Sequence, residues 1–276
     1  MILVKLRLKR KSVLIDLKNE DKGYEKAAKF YDVFDTKKNI DYFLKFARDC
    51  KRVLDIGAGT GRIAIPLAKK GLTICCIEPS AAMREEFQKK MNNYPELENK
   101  ITIIPADAKS FSLNEKFEGA FLSGTFDHIL TNKERKSVLT NIYQHLTKNG
   151  QITFDIFIGE MKSSPISLID KIKKDNREYH RFIGREKLSD GTINVKLIYK
   201  VYENEELIET VIQHSIAKEV TREEVHQILH KTGFQIIQEF GSFTMNPYSP
   251  EDEILIVLAQ KRGNERKKYP WKKGQA

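Results

Sequence analysis

Short runs of apolar, β-favouring residues recur along the first half of the chain, at Arg52–Ile56, Thr73–Ile77, Ile101–Ile104, 120–123 and 152–157. Helix-like stretches separate them. Within 137–146, for example, Leu139, Ile142, Tyr143 and Leu146 fall at helical spacing, and Gly150 follows as a stop signal. Strands that are apolar on both faces and alternate with helices predict a parallel sheet covered on each side. From about residue 159 the pattern changes. Ile193, Val195, Leu197, Tyr199 and Val201 alternate with Asn194, Lys196, Ile198 and Lys200, the period of a sheet with one exposed face. Asp190-Gly191 and Glu203-Asn204-Glu205 read as hairpin turns, so an antiparallel meander is predicted over 177–217. Thr221-Arg-Glu-Glu224 is a capping box that opens a helix with Val225, Ile228 and Leu229 inward and Gly233 beyond it. Strand-like runs at Phe234–Phe240 and 253–259 bring the strands of the main sheet to seven. Residues 21–49 read as helical, anchored by Tyr24, Tyr31, Phe34, Tyr42, Phe43 and Phe46.

Composition narrows the class. The chain of 276 residues is 40% hydrophobic and has no uncharged apolar run of the length that spans a bilayer. Residues 1–17 alternate apolar and basic positions, unlike a secretory signal, so a cytoplasmic protein is expected. Cys50, Cys75 and Cys76 cannot complete a disulfide set and read as thiols of a reducing compartment, with no metal role. The net charge of +10 invites a nucleic-acid partner, but its location matters. Residues 1–12 carry five basic residues and no acid, and residues 261–276 carry seven against Glu265, so the body is close to neutral. Basic ends are commonly solvated tails, although such arms also hold phosphate backbones.

The segment Val53-Leu-Asp-Ile-Gly-Ala-Gly-Thr-Gly61 joins an apolar strand to an apolar helix through a glycine turn, with Pro66 in the helix's first turn. Such turns let a ligand approach the backbone and its free amides. A dinucleotide fingerprint requires G-x-G-x-x-G, whereas here the third glycine comes one residue early and Arg62 takes its place. Asp55 would repel a pyrophosphate and suits S-adenosylmethionine (SAM), which brings an ammonium and a sulfonium but no phosphate. Glu78 ends the next strand, placed either to accept ribose hydroxyls or simply to favour a helix start. Asp107 follows the third strand, placed to bond an adenine amino group with the Ala108 amide facing a ring nitrogen. Three acids at three successive strand ends form the specific signal, because ligands of open α/β sheets lie outside those ends.

The order Asp-x-Gly-x-Gly-x-Gly, then Glu78, then Asp107, resembles the class I SAM-dependent methyltransferases over about residues 24–261. Tyr31-Asp32, Gly59-Thr-Gly-Arg-Ile63, Phe126-Asp-His-Ile129 and Gly233-Phe234 resemble the small-molecule branch that includes glycine and sugar-amine N-methyltransferases. That resemblance implies a doubly wound, mostly parallel, seven-stranded Rossmann-like α/β sheet with an inserted antiparallel β lid. The corresponding division is a basic segment over 1–20, a SAM-binding unit over 21–158 and 218–260, a lid over 159–217, and a basic tail over 261–276. It further implies that Asp55, Gly57, Ala58, Gly59, Gly61, Glu78, Pro79, Met83, Asp107, Ala108 and Ser123 line the SAM site, with Tyr31 closing it. Related enzymes often read Asn-Ser-Phe where this chain has Gly124-Thr125-Phe126, and the Asp/Asn-Pro-Pro-Tyr motif of base-amino methylation is absent.

The expected reaction is therefore methyl transfer from SAM to N or O of a small-molecule acceptor, leaving S-adenosylhomocysteine. His128 is the candidate general base, with Asp127, Tyr199 and His214 behind it. Nucleic acid is the less favoured partner, no membrane is expected, and a homodimer is compatible with the chain. RNA or protein methylation through the basic ends, and a non-catalytic SAM-binding module, are the alternatives. A nicotinamide dehydrogenase ranks below both because of the glycine spacing.

Overall fold

The computed structural model describes residues 20–21, 24–34 and 39–262. The basic ends over 1–20 and 261–276 lie almost wholly outside these residues. In chain order the elements begin with β1 (Glu20–Asp21), a 3-10 turn at Ala28–Phe30 and α1 (Ile40–Phe46). Among the described residues of 21–49 the helical structure is two short pieces, where the sequence suggested helix throughout. Then come β2 (Arg52–Ile56), α2 (Ala64–Lys69), β3 (Thr73–Ile77), α3 (Ala81–Met91), β4 (Ile101–Ile104), β5 (Phe117–Leu122), α4 (Asn132–His145) and β6 (Leu146–Phe157). Four long strands follow: β7 (Ser164–Lys174), β8 (Arg177–Lys187), β9 (Thr192–Glu203) and β10 (Glu206–Lys218). The described chain closes with α5 (Arg222–Lys231), β11 (Phe234–Phe240) and β12 (Ile254–Lys261).

Seven strands form one sheet in the order β11-β12-β6-β5-β2-β3-β4, parallel from β6 to β4, with β12 antiparallel to β6. Alternate residues of the central strands feed two cores. Leu54, Ile56, Ala120, Leu122, Ile152 and Phe154 pack against Val138, Leu139 and Ile142 of α4 and Val225 and Leu229 of α5. Val53, Ile74, Cys76 and Phe121 face the other way, onto Tyr42 and Phe43 of α1, Leu67 of α2 and Phe87 of α3. Burying each of these large side chains contributes roughly 1.5–3 kcal/mol, and the two cores hold the strand ends in fixed relation. The Thr221 hydroxyl accepts from the Glu224 amide while Glu224 accepts from the Thr221 amide, the anticipated capping box.

Two strands begin earlier than the apolar pattern suggested. In β5, Glu118 and Gly119 interrupt the run, yet a Cβ at Gly119 would stand 3.1 Å from the Phe46 ring and 3.2 Å from Cys50 Sγ. The small residue is what lets α1 lie close. In β6, strand structure starts at Leu146, directly after α4, and runs through Asn149, at positive φ, and Gly150, which the sequence read as a stop signal.

The second sheet runs β1-β10-β9-β8-β7, an antiparallel meander with β1 added parallel to β10. It starts at 164 instead of 177. Bulges between Ser164 and Ser167 and between Leu168 and Asp170 break the two-residue period of β7, which hid that strand in the sequence. Ile193, Tyr199 and Val201 are buried on one face as expected, but the paired Ile198 and Ile212 are buried on the other, where β1 joins. Among the described residues no helix is long and apolar enough to cross a membrane.

Candidate functional site

Sheet order reverses beside β2, with β3 on one side and β5 on the other, and a crevice opens outside the carboxyl ends of these strands. A cavity of about 300 Å³ occupies it. Nine of the residues expected at the cofactor site line this cavity: Tyr31, Gly57, Gly59, Glu78, Pro79 and Met83, joined by Asp107, Ala108 and Ser123. The candidate base His128 lines it too.

Asp55, Ala58 and Gly61 do not line the cavity. Ala58 is buried in the core shared by α1, α2 and α3, and a Cβ at Gly61 would overlap the Phe87 ring of α3. Gly61 is therefore a packing glycine at φ +76. Gly57, at φ +73, has its would-be Cβ against the Thr125 side chain. Gly59 differs: a Cβ there would meet nothing within 4 Å, because that side of the turn opens into the cavity. One motif thus holds glycines kept for different physical reasons.

The amides of the turn are already engaged. Gly57 N–H and Ala58 N–H donate to the Ile77 carbonyl at 2.8 and 3.2 Å, and Gly59 N–H donates to Glu78 Oε2 at 2.8 Å. Glu78 Oε1 accepts from Ser80 N–H at 2.8 Å, and Ser80 in turn caps α3 through Met83 N–H. A pyrophosphate seeking these donors would find the chain's own oxygens in place. The carboxylate of Glu78 nevertheless keeps lone pairs for hydroxyl donors at the cavity wall.

Charge beneath the turn is strongly acidic. Burial pushes Asp55, only 3% exposed, up to about 8; Glu78 adds to that rise and Arg62 opposes it. Burial also raises Glu78 and Asp155 above the usual carboxylate range. Asp155 accepts from Gly124 N–H through both oxygens, at 3.2 and 3.1 Å. Arg62 is the shared counter-charge, donating to Asn39 Oδ1 at 2.5 Å and to Ser123 Oγ at 3.4 Å. Arg62 answers Asp55 and Asp155 while Arg84 answers Glu78, so three acids held above their usual range make a site that gains when a cationic ligand arrives.

At the far end, Asp107 Oδ1 accepts from Lys109 N–H at 2.7 Å, and Lys109 Nζ bridges to Glu134 Oε1 at 3.2 Å. Ile77, Ile129 and Val138 supply apolar wall, the kind of surface that receives a flat ring. His128 Nδ1 lies 3.2 Å from the Ile216 carbonyl of β10. A carbonyl only accepts, so Nδ1 carries the proton and Nε2 holds the basic lone pair. Asp127 is bound to Phe157 N–H at 3.1 Å and is pushed by burial up to about 7. Neither it nor Tyr199 nor His214 lines the cavity; Tyr199 donates to Gln213 and His214 meets Asn194 on the other sheet face.

Similarity to known proteins agrees with this geometry. Residues 53–150 match the model of a family described as a methyltransferase domain. Over that span the chain carries a methyltransferase domain. An uncharacterized methyltransferase of Oceanobacillus iheyensis is 28% identical over 174 residues, 59% of this chain and 75% of that one. A glycine/sarcosine N-methyltransferase of Aphanothece halophytica is 22% identical across 80% of this chain and 81% of its own. The SAM-bound structure of an amino pentose methyltransferase from Micromonospora echinaspora shares the fold, with a TM-score of 0.64 at 17% identity over 87% of this chain and 92% of that one. SAM is bound in that structure, and the acid-rich cradle of this chain suits such a cation.

The cavity also holds residues that the sequence did not assign to the cofactor. Tyr24 meets Tyr31 edge to face, with ring centroids 5.6 Å apart. Lys109, Gly124, Thr125 and Glu134 line the cavity as well. Arg62, Asn39 and Asp155 form the partly buried network behind it. Arg62, Gly124 and Thr125 lay within motifs the sequence brought forward, and Tyr24 among its aromatic anchors.

Proposed function

We propose that the chain transfers the methyl group of SAM to the nitrogen of a small amine held between the strand ends and the second sheet. The carrying observation is a set of three carboxylates raised by burial, Asp55, Glu78 and Asp155, beside a glycine turn whose Gly57, Ala58 and Gly59 amides are already bonded; Arg62 answers Asp55 and Asp155, and Arg84 answers Glu78. SAM supplies an activated methyl group on a sulfonium, displaced in line by a nucleophile. Glu78 would accept the ribose hydroxyls, Asp107 and Ala108 would face the adenine edge, and Asp55 would answer the ammonium from behind the turn. Asp55 acts there at one remove, through its field.

The remaining work is alignment, exclusion of water and a proton. Holding donor and acceptor in line supplies ~7–11 kcal/mol of the barrier. The second sheet serves as the lid, with Tyr24 and Tyr31 on the mouth. An amine arrives as ammonium and must shed a proton before its lone pair attacks. His128 Nε2 offers a lone pair at the cavity for that proton, a contribution of roughly 10²–10⁴ in rate. An acid-rich cavity favours the cationic form of an amine at binding. The N-methyltransferase named above, similar along most of the chain, supports nitrogen as the accepting atom.

The test is incubation with methyl-labelled SAM and a panel of amino acids, amino sugars, phenols and carboxylic acids, with RNA and protein in parallel. Label on an amine is the expected result. Label confined to RNA or protein, or to oxygen acceptors, overturns the acceptor assignment.

A further inference from the structure

Residues 24–34 bridge the two sheets, and their two attachments differ in kind. On one side Ala27, Phe30 and Phe34 pack with Tyr199, Val201 and Val211 of the second sheet. Phe30 stacks on Tyr199 at 4.9 Å with the rings 13° apart, and Lys29 pairs with Glu209 at 2.6 Å. On the other side Asp32 reaches the glycine turn. Its Oδ1 accepts from the Thr60 hydroxyl at 3.0 Å and from Lys90 Nζ of α3 at 2.9 Å, and Lys90 lies 2.8 Å from Oδ2. Lys90 also donates to Thr60 Oγ1 at 3.1 Å, closing a three-member polar cluster.

Thr60, between Gly59 and Gly61, is 3% exposed, whereas the Asp32 and Lys90 side chains are 38% and 28% exposed. The attachment to the second sheet is therefore mainly an apolar, buried cluster with the exposed Lys29–Glu209 pair at its edge, while Asp32's is wholly polar and wet. Tyr31, the neighbour of Asp32, lies on the cavity wall beside Tyr24.

We propose that Asp32 is a positioning residue, the catch that fastens the bridge, and Tyr31 with it, to the glycine turn over the donor end of the cavity. Releasing the catch frees that edge while Phe30 and Phe34 stay seated on the second sheet, so the mouth opens without either core coming apart. Ligand exchange then runs through this weak joint. This inference rests on the cavity being the SAM site.

The experiment compares wild type with Asp32→Ala and Lys90→Gln, measuring S-adenosylhomocysteine dissociation by stopped flow, thermal midpoint, and amide exchange of residues 27–34 in the unliganded protein. A half-exposed ion pair with its hydrogen bonds predicts roughly fivefold faster dissociation in each variant, with the midpoint nearly unchanged. Raising salt speeds release from wild type and has less effect on the variants. Exchange over 27–34 quickens in Asp32→Ala even without ligand. The charge-reversed pair Asp32→Lys with Lys90→Asp slows both readouts again. Dissociation and exchange within twofold of wild type overturn the catch, as does a loss of thermal stability that leaves both rates alone. A wild type that holds no SAM or product removes the site reading itself, a different failure.

Discussion

Asp55→Asn should change how SAM affinity depends on pH more than any other single substitution at the site. Asp55 is a buried acid whose carboxyl is pushed from 3.8 up to about 8, by burial first and by Glu78 second, against the pull of Arg62. A raised acid makes the unliganded fold prefer the protonated form. The stability it contributes is complete below about pH 4 and is lost as pH climbs toward 8, by at most about 1.4 kcal/mol per unit. A bound cation reverses that preference, so SAM binding must expel the proton at low pH and finds the carboxylate ready at high pH. SAM affinity in wild type should therefore rise between about ten- and fiftyfold from pH 6 to pH 8. The gain should end there, because an α-amino group itself begins to lose its proton near pH 7.7–8.0. In Asp55→Asn the profile is flat below pH 8 and the affinity lower at pH 8, while adenosine, which lacks the ammonium, binds both proteins alike. Isothermal titration across this range is the assay. Parallel pH profiles for the two proteins, or equal losses for SAM and adenosine, refute the reasoning.

Glycines two residues apart should fail in different ways. Gly59→Val fills the open side of the turn and should abolish SAM binding in calorimetry at a stability cost of about 1–2 kcal/mol for its positive φ; unchanged affinity refutes the site. Gly61→Ala drives a methyl group into Phe87 and should cost roughly 2–4 kcal/mol, several degrees of thermal midpoint, while the folded protein still binds SAM. If the losses were exchanged, the assignment of the two glycines would be wrong. His128→Gln should lower kcat by about a hundredfold at pH 7, with SAM affinity unchanged; an unaltered kcat removes the base.

Much of the frame was legible because it is written locally. Strands β2, β3 and β4 are β-branched runs closed by turn residues, and the Thr221 cap and the glycine turn are short-range signals. The acids at three strand ends could be read because strand order places those ends together. What escaped depends on contacts between distant residues. Arg62 meets Asn39 and Ser123 through packing of α1 and the end of β5, which no spacing in the chain announces. Gly61 resembled a ligand glycine because the Phe87 ring that claims its space lies 26 positions on. Bulges masked β7, and Gly150, read as a stop signal, masked the start of β6, since both break the pattern by which a strand is recognised. Tyr24 enters the site only because the bridge lies back across the second sheet.

The central claim is that this cradle receives a cationic nucleoside and turns away a phosphorylated one. Titrating the full chain at pH 8 and physiological salt with SAM, S-adenosylhomocysteine and NAD tests it most directly. The account predicts saturable binding of SAM and its product and no measurable heat from NAD. Tight binding of NAD with none of SAM would contradict it.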